Sequence, residues 1–280
     1  MHRAADALAE NDLDSAERGY RAALQHDPAL EPAWFDLGLV YKFRHDWRNS
    51  LVCSLRAADL NPATEQPAWW NAGIAATALR EWPTALNAWR SYGIDLPDVP
   101  APFEYDLGIA PVRVNPVEAP EVVWGRRLDP ARIRILNVPL PDCGRRWKDV
   151  VLHDGAPNGT REHNGRMFSV FDELEVWESS GVPTLEVDVA IASDDELVRL
   201  TESFSDRDWA VEDWTSSIQL LCQACSEGTP HGHDDRQIAA GLQRRLGIAA
   251  PLGIARDLLD QWAQADLERR TFSDLHVVSE

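Results

Sequence analysis

No apolar run in this chain approaches the ~20 residues needed to cross a bilayer. Its opening, MHRAADALAENDLD, lacks the apolar stretch of a secretory leader. Both omissions lead to the expectation of a cytoplasmic protein with no membrane partner. Cysteine is scarce: four in 280 residues are too few for a disulfide scaffold of this length. Basic charge is scarce as well, since 27 Lys+Arg against 46 Asp+Glu leave −19 at pH 7. A surface of that sign repels phosphate backbones and argues against nucleic acid as a partner. The imbalance is steepest over residues 183–280, with 8 basic against 19 acidic side chains. Solubility accounts for such a tail, and a basic partner is the alternative. Also missing are a Gly-rich phosphate loop, Gly-x-Ser-x-Gly and His-Glu-x2-His, which removes the usual signatures of nucleotide, serine-hydrolase and metalloprotease chemistry.

What the chain does have is repetition. Trp34, Leu37, Gly38, Tyr41, Ala57 and Pro62 follow the spacing W-x2-L-G-x2-Y…A…P. Ala16, Tyr20, Ala23 and Pro28 fill the second half of the same pattern upstream, and Trp69, Gly73, Ala76, Ala85, Trp89 and Pro97 repeat it downstream. Two antiparallel helices sharing a small core need a small residue opposite each large aromatic, and a proline ends the second helix. In this spacing residues 1–97 resemble the tetratricopeptide repeat (TPR), an α-solenoid of about three repeats; the chain begins inside the expected first helix, which is either clipped or preceded by further sequence. The resemblance implies a concave groove lined by the first helix of each repeat. The positions that match are Phe35, Leu39, Lys42 and Phe43, followed by Trp70, Ile74 and Thr77. Apart from Lys42 and Thr77 they are apolar, which suits a protein partner or an amphipathic peptide with spaced hydrophobic anchors. The chain's own connector is the competing occupant.

Beyond Pro97 the composition changes. Six prolines between 97 and 120 rule out a continuous helix and predict an extended connector over 98–120. Residues 121–182 read as a small β-rich unit. Strands are expected around Ile133–Val138, Val150–Leu152 and Phe168–Val176, separated by Asp154-Gly155, Asn158-Gly159 and Asn164-Gly165 turns. A strand end explains His153-Asp154-Gly155 better than a catalytic role does. In the remaining part, Glu186–Phe204 resembles Arg245–Trp262 at an offset of 58 residues. Each copy reads as a strand followed by a helix. With further strands at Trp214–Cys222 and Asp274–Val278, residues 183–280 take the order β-α-β-β-α-β of a ferredoxin-like α+β domain. The fold class is therefore multidomain, α followed by α+β. This C-terminal part also resembles regions of uncharacterised bacterial TPR proteins, a likeness that brings no activity with it.

One stretch carries metal chemistry. Cys222 and Cys225 form a Cys-x2-Cys knuckle, and His231 and His233 follow a Gly-Pro turn within the loop 222–235. Two thiolates and two imidazoles suit tetrahedral Zn²⁺, and a four-ligand set leaves no open position for water, so the expected role is structural. Buried thiols beside an unrelated His loop, and a redox pair, are the other readings. Asp206, Asp208, Glu212 and Asp213 surround Trp209 and Trp214 and read as a solvated acidic turn. The leading functional expectation is a protein-interaction scaffold without turnover. A metal-dependent enzyme using His231 and His233 with nearby carboxylates, and an immunity-type protein that neutralises a basic partner, remain open beside it.

Overall fold

A computed structural model describes residues 1–215, 243–266 and 269–280. The chain is α+β, with its helices first and strands after them. It divides into two compact units. The first comprises Met1–Leu107 with the short stretches Leu128–Arg132 and Leu152–Gly155; the second comprises Gly108–Arg127, Ile133–Val151 and Ala156–Glu280.

Six helices build the first unit: α1 (His2–Ala9), α2 (Leu13–His26), α3 (Glu31–Phe43), α4 (Trp47–Leu60), α5 (Pro67–Ala78) and α6 (Trp82–Tyr92). Each packs on the next, so they form three successive hairpins. The corners recur. Asn11, His45 and Arg80 each take a left-handed φ of 57–59° between the two helices of a hairpin. Asp12 and Asp46 follow the first two corners and cap the second helix, accepting from Ser15 N and Asn49 N at 3.1 and 3.2 Å. Aromatic-against-small packing fills the hairpins. Trp89 is fully buried, and a methyl group added at Gly73 would lie 2.5 Å from its ring. Glycine at 73 is therefore a packing requirement. The Pro-rich stretch lies on this unit through Phe103, whose ring meets Trp82 edge-on at 5.4 Å. Arg132 is buried there too, donating to Asp129 at 2.7 Å and stacking on Trp82 at 4.9 Å.

In the second unit a closed barrel is ordered β1-β2-β3-β4-β5: β1 (Ile109–Val114), β2 (Glu121–Arg127), β3 (Arg132–Ile135), β4 (Val150–His163) and β5 (Arg166–Glu178). It closes by parallel pairing of β1 with β5, Val112 opposite Phe171. Val112, Val114, Val123, Ile133, Ile135 and Val151 are among the residues of its core. The barrel begins earlier than the composition implies, because β1 lies inside the Pro-rich stretch and includes Pro111. Asn164-Gly165, with φ of 51° and 74°, is the hairpin turn between β4 and β5. Asp154-Gly155 and Asn158-Gly159 are not turns; both lie within the 14-residue β4.

A four-stranded sheet follows. β6 (Thr184–Ala190), α7 (Asp194–Ser205), β7 (Ala210–Asp213), β8 (Gln243–Ala249), α8 (Leu252–Gln264) and β9 (Thr271–Ser279) occur in that order. The sheet order is β7-β8-β6-β9, with every neighbouring pair antiparallel. Leu185, Val187, Leu246 and Ile248 meet Leu200, Phe204, Leu258 and Trp262 from the two helices in one core. The described strand after α7, β7, ends at Asp213; the strand expected over Trp214–Cys222 lies outside the described residues apart from Trp214 and Thr215. At the start of α7, Ser193 makes no side-chain cap. Glu196 instead reaches back to accept from Ala192 N at 2.8 Å.

Candidate functional site

Phe35, Leu39, Lys42 and Phe43 fall on α3 at offsets of about one and two turns, and Trp70, Ile74 and Thr77 do the same on α5. The two helices pack together, so these positions form one face of the first unit. Much of that face is covered by the chain itself. Lys42 is 4% exposed, and its ammonium donates to Asp154 Oδ2 at 2.9 Å and Oδ1 at 3.0 Å, with Asn71 Oδ1 at 3.4 Å. Next to Asp154, the Gly155 backbone lies so close to Trp70 that any side chain at 155 would overlap the indole. Ile74 and Thr77 are buried as well. The stretch placed against the face is therefore Asp154-Gly155 of β4. Elsewhere on α3, Phe35 and Leu39 are half-buried, and Phe43, in the same last turn as Lys42, is 45% exposed with the Lys42 ammonium 5.1 Å from its ring.

His153, a candidate only through its His-Asp-Gly context, is fully buried, and its Nδ1 lies 2.7 Å from the Asp154 carbonyl. Cys222, Cys225, His231 and His233 lie outside the described residues. Among the described residues, no group of three or more His, Cys, Asp or Glu side chains is placed to hold a metal ion. Cys53 is free and buried, and burial pushes its thiol up to about 12, so it is an inert packing group.

The acidic stretch after α7 divides by partner. Asp208 pairs with Lys148 at 2.7 Å, and Asp213 with Arg244 at 3.4 Å. Glu212 turns inward. Both its oxygens accept from Asn137 Nδ2 at 3.1 Å, and Asn137 Oδ1 in turn accepts from Trp124 N at 2.6 Å. Burial raises the Glu212 carboxyl, against the pull of Asn137 and the Val138 N–H; Asp213 adds to the rise. A second raised carboxyl is that of Glu121, the first residue of β2, whose Oε2 accepts from Leu140 N at 2.9 Å. Burial pushes Glu121 up to about 7; the Leu140 N–H and the Cys143 thiol oppose the rise and the charge of Glu212 adds to it. Cys143 is itself 1% exposed, and burial raises its thiol too. Sequence reasoning missed this pair, since Glu121 stands alone in a Pro-Glu-Val context and nothing local links it to Glu212. Glu121 can take up or release a proton near neutral pH.

No protein-family model and no curated protein matches this chain. Among solved structures, a hypothetical protein from Neisseria gonorrhoeae is similar at 14% identity over 59% of this chain and 92% of that one, with a TM-score of 0.24. A likeness that low carries no argument about fold or function.

Proposed function

We propose that this chain is a protein-interaction module in which a TPR-like array of three helical hairpins precedes a small barrel and a ferredoxin-like α+β domain. The repeat reading is supported by the left-handed corners at Asn11, His45 and Arg80, which recur at the interval of the prolines that end each unit. The ferredoxin-like reading is supported by the β-α-β-β-α-β order among the described residues and the antiparallel β7-β8-β6-β9 sheet. The binding reading rests on one observation: Phe43 is 45% exposed at the end of α3, with half-buried Leu39 and Phe35 about one and two turns before it on the same helix. Such a row on one helix is the pattern that receives an amphipathic segment. Lys42, Ile74 and Thr77 are held by the chain itself and support the face instead of meeting the partner.

A structural Zn²⁺ on Cys222, Cys225, His231 and His233 belongs to the same proposal and rests on the chemistry of the donor set. The charge of −19 disfavours phosphate-bearing partners. The test compares partner recovery by wild type, Phe43→Ala and Phe35→Ala, with helicity followed by circular dichroism. Loss of the same partner in both variants at unchanged helicity supports the reading. Equal recovery by all three removes this face as the binding surface. Elemental analysis of wild type and Cys222→Ser/Cys225→Ser tests the metal: about one zinc per chain that the double variant loses is expected, and no metal in either refutes the site.

A further inference from the structure

We propose that the tip of the β4–β5 hairpin, together with Trp124 of β2, is a docking surface for an acidic segment of a partner protein that carries an apolar anchor. The hairpin closes through the two-residue turn Asn164-Gly165. Such a turn sets His163 opposite Arg166 and, two residues further from the turn, Arg161 opposite Phe168. All four therefore share one face of the hairpin, while Glu162 and Met167 fall on the other. Trp124 lies against the shared face, its ring 5.0 Å from His163 and 5.2 Å from Phe168, edge-on to the latter. The Arg166 guanidinium stands 5.0 Å from the Phe168 ring. Leu136, 40% exposed, continues the β2–β3 register opposite Trp124, to whose carbonyl its N–H donates at 2.9 Å.

Charge complementarity selects the occupant. On a chain of −19, this hairpin face presents two arginines and a histidine without a carboxylate among them. His163 and Arg166 are exposed, and Arg161 and Phe168 are half-buried. Among the described residues no acidic side chain pairs with these three basic groups. Arg161 Nε has no hydrogen-bond partner, Arg166 rests on Phe168, and His163 Nε2 is met by Asn164 Nδ2 at 3.1 Å. Arg126 and Arg134, opposite each other on β2 and β3, have interactions of their own and are left out of the recognition. A guanidinium offers a carboxylate a planar, charge-assisted fork. Tryptophan, phenylalanine and arginine are also the side chains that gather at the centre of interfaces. A long phosphate backbone would run beyond the hairpin into the negative field of the whole chain, whereas a short acidic segment meets the local cations first. The surface shares no residue with the α3 row of Phe35, Leu39 and Phe43, so the two can be tested apart.

Fluorescence anisotropy on the full chain tests this with a labelled peptide of repeated Glu-Glu-Phe. Peptides of Gln-Gln-Phe and Lys-Lys-Phe repeats and a single-stranded oligothymidine serve as comparisons. The acidic peptide should bind about tenfold or more tightly than each comparison and weaken as salt is raised. Arg161→Gln/Arg166→Gln should weaken it about tenfold or more, since two charge-assisted contacts are lost, at unchanged circular dichroism and unfolding midpoint. Arg166→Lys, which keeps the charge, should lose less than Arg166→Gln. The Trp124 indole N–H resonance, assigned from Trp124→Phe, should shift when the peptide is added to wild type and stay in place in the double variant. The proposal is overturned if the acidic peptide does not bind, or binds the double variant as well as wild type. Binding that Phe43→Ala removes and the double variant keeps would put the peptide on α3 and overturn it too. Oligothymidine binding tighter than the peptide overturns it in favour of nucleic acid. Self-association that the double variant loses, seen by sedimentation with no peptide binding, overturns it in favour of a second copy of the chain.

Discussion

Replacing Lys42 by methionine keeps most of the buried stem and removes the ammonium that sits 2.9–3.0 Å from both oxygens of Asp154. Asp154 is then left with its charge in a place where its side chain is only 15% exposed. Breaking one partner of a buried pair costs about 3–5 kcal/mol. Partial exposure of Asp154 lets some water in, so about 2–3 kcal/mol is the working figure. At about 2–4 °C per kcal/mol for a chain of this size, Lys42→Met should lower the helical unfolding midpoint by roughly 4–12 °C, followed at 222 nm. Asp154→Leu alone should also destabilise, because it leaves the ammonium facing Asn71. The double variant Lys42→Met/Asp154→Leu should recover most of the loss, since an apolar pair can replace a buried ionic one at little cost. A coupling free energy of about 1.5 kcal/mol or more completes the cycle. The reasoning is refuted if Lys42→Met costs under about 0.5 kcal/mol, or if the double variant is as unstable as the two single losses added together.

Gly73→Ala places a methyl 2.5 Å from the Trp89 ring; the ring must shift, and a loss of about 1–3 kcal/mol is expected by urea denaturation. Glu121→Gln should raise stability by about 2–3 kcal/mol at pH 8, because the wild-type carboxyl near 7 is penalised above that pH. The gain should shrink through pH 6 and vanish near pH 4, and a pH-independent difference would contradict the assignment. Trp214→Phe leaves the Val138 carbonyl without its 2.9 Å donor; a loss of about 1–3 kcal/mol is expected, with increased exchange at β7 as the local readout.

The helical hairpins were legible because their signals are local. Pro28, Pro62 and Pro97 mark the period, and Gly73 opposite Trp89 is the packing that the small-aromatic spacing implies. Strand lengths were harder to read. Asp154-Gly155 and Asn158-Gly159 have the composition of hairpin turns, yet Gly155 is small to admit the Trp70 indole, and both pairs continue β4. The candidate face was legible as a row on two helices, but its coverage was not. Asp154 lies 112 residues from Lys42, and no periodicity connects them. Glu121 is hidden for the same reason: its hydrogen-bond partner Leu140 lies 19 residues away, and no periodicity connects them.

The first unit cannot be obtained by cutting the chain at one point. Leu128–Arg132 and Leu152–Gly155 belong to it although barrel strands run before, between and after them. A fragment ending at residue 107 would keep all six helices and lose Asp154, Gly155 and Arg132, leaving the Lys42 ammonium without its counter-ion and the Trp70 indole uncovered. The helical array is in this sense sealed from within by sequence that comes later. It is not a cassette that recombination could move into another protein unchanged, because its inheritance is tied to that of the barrel. During synthesis it is complete only after Gly155 has been made, so the helices must wait for β4 before their inner face is closed.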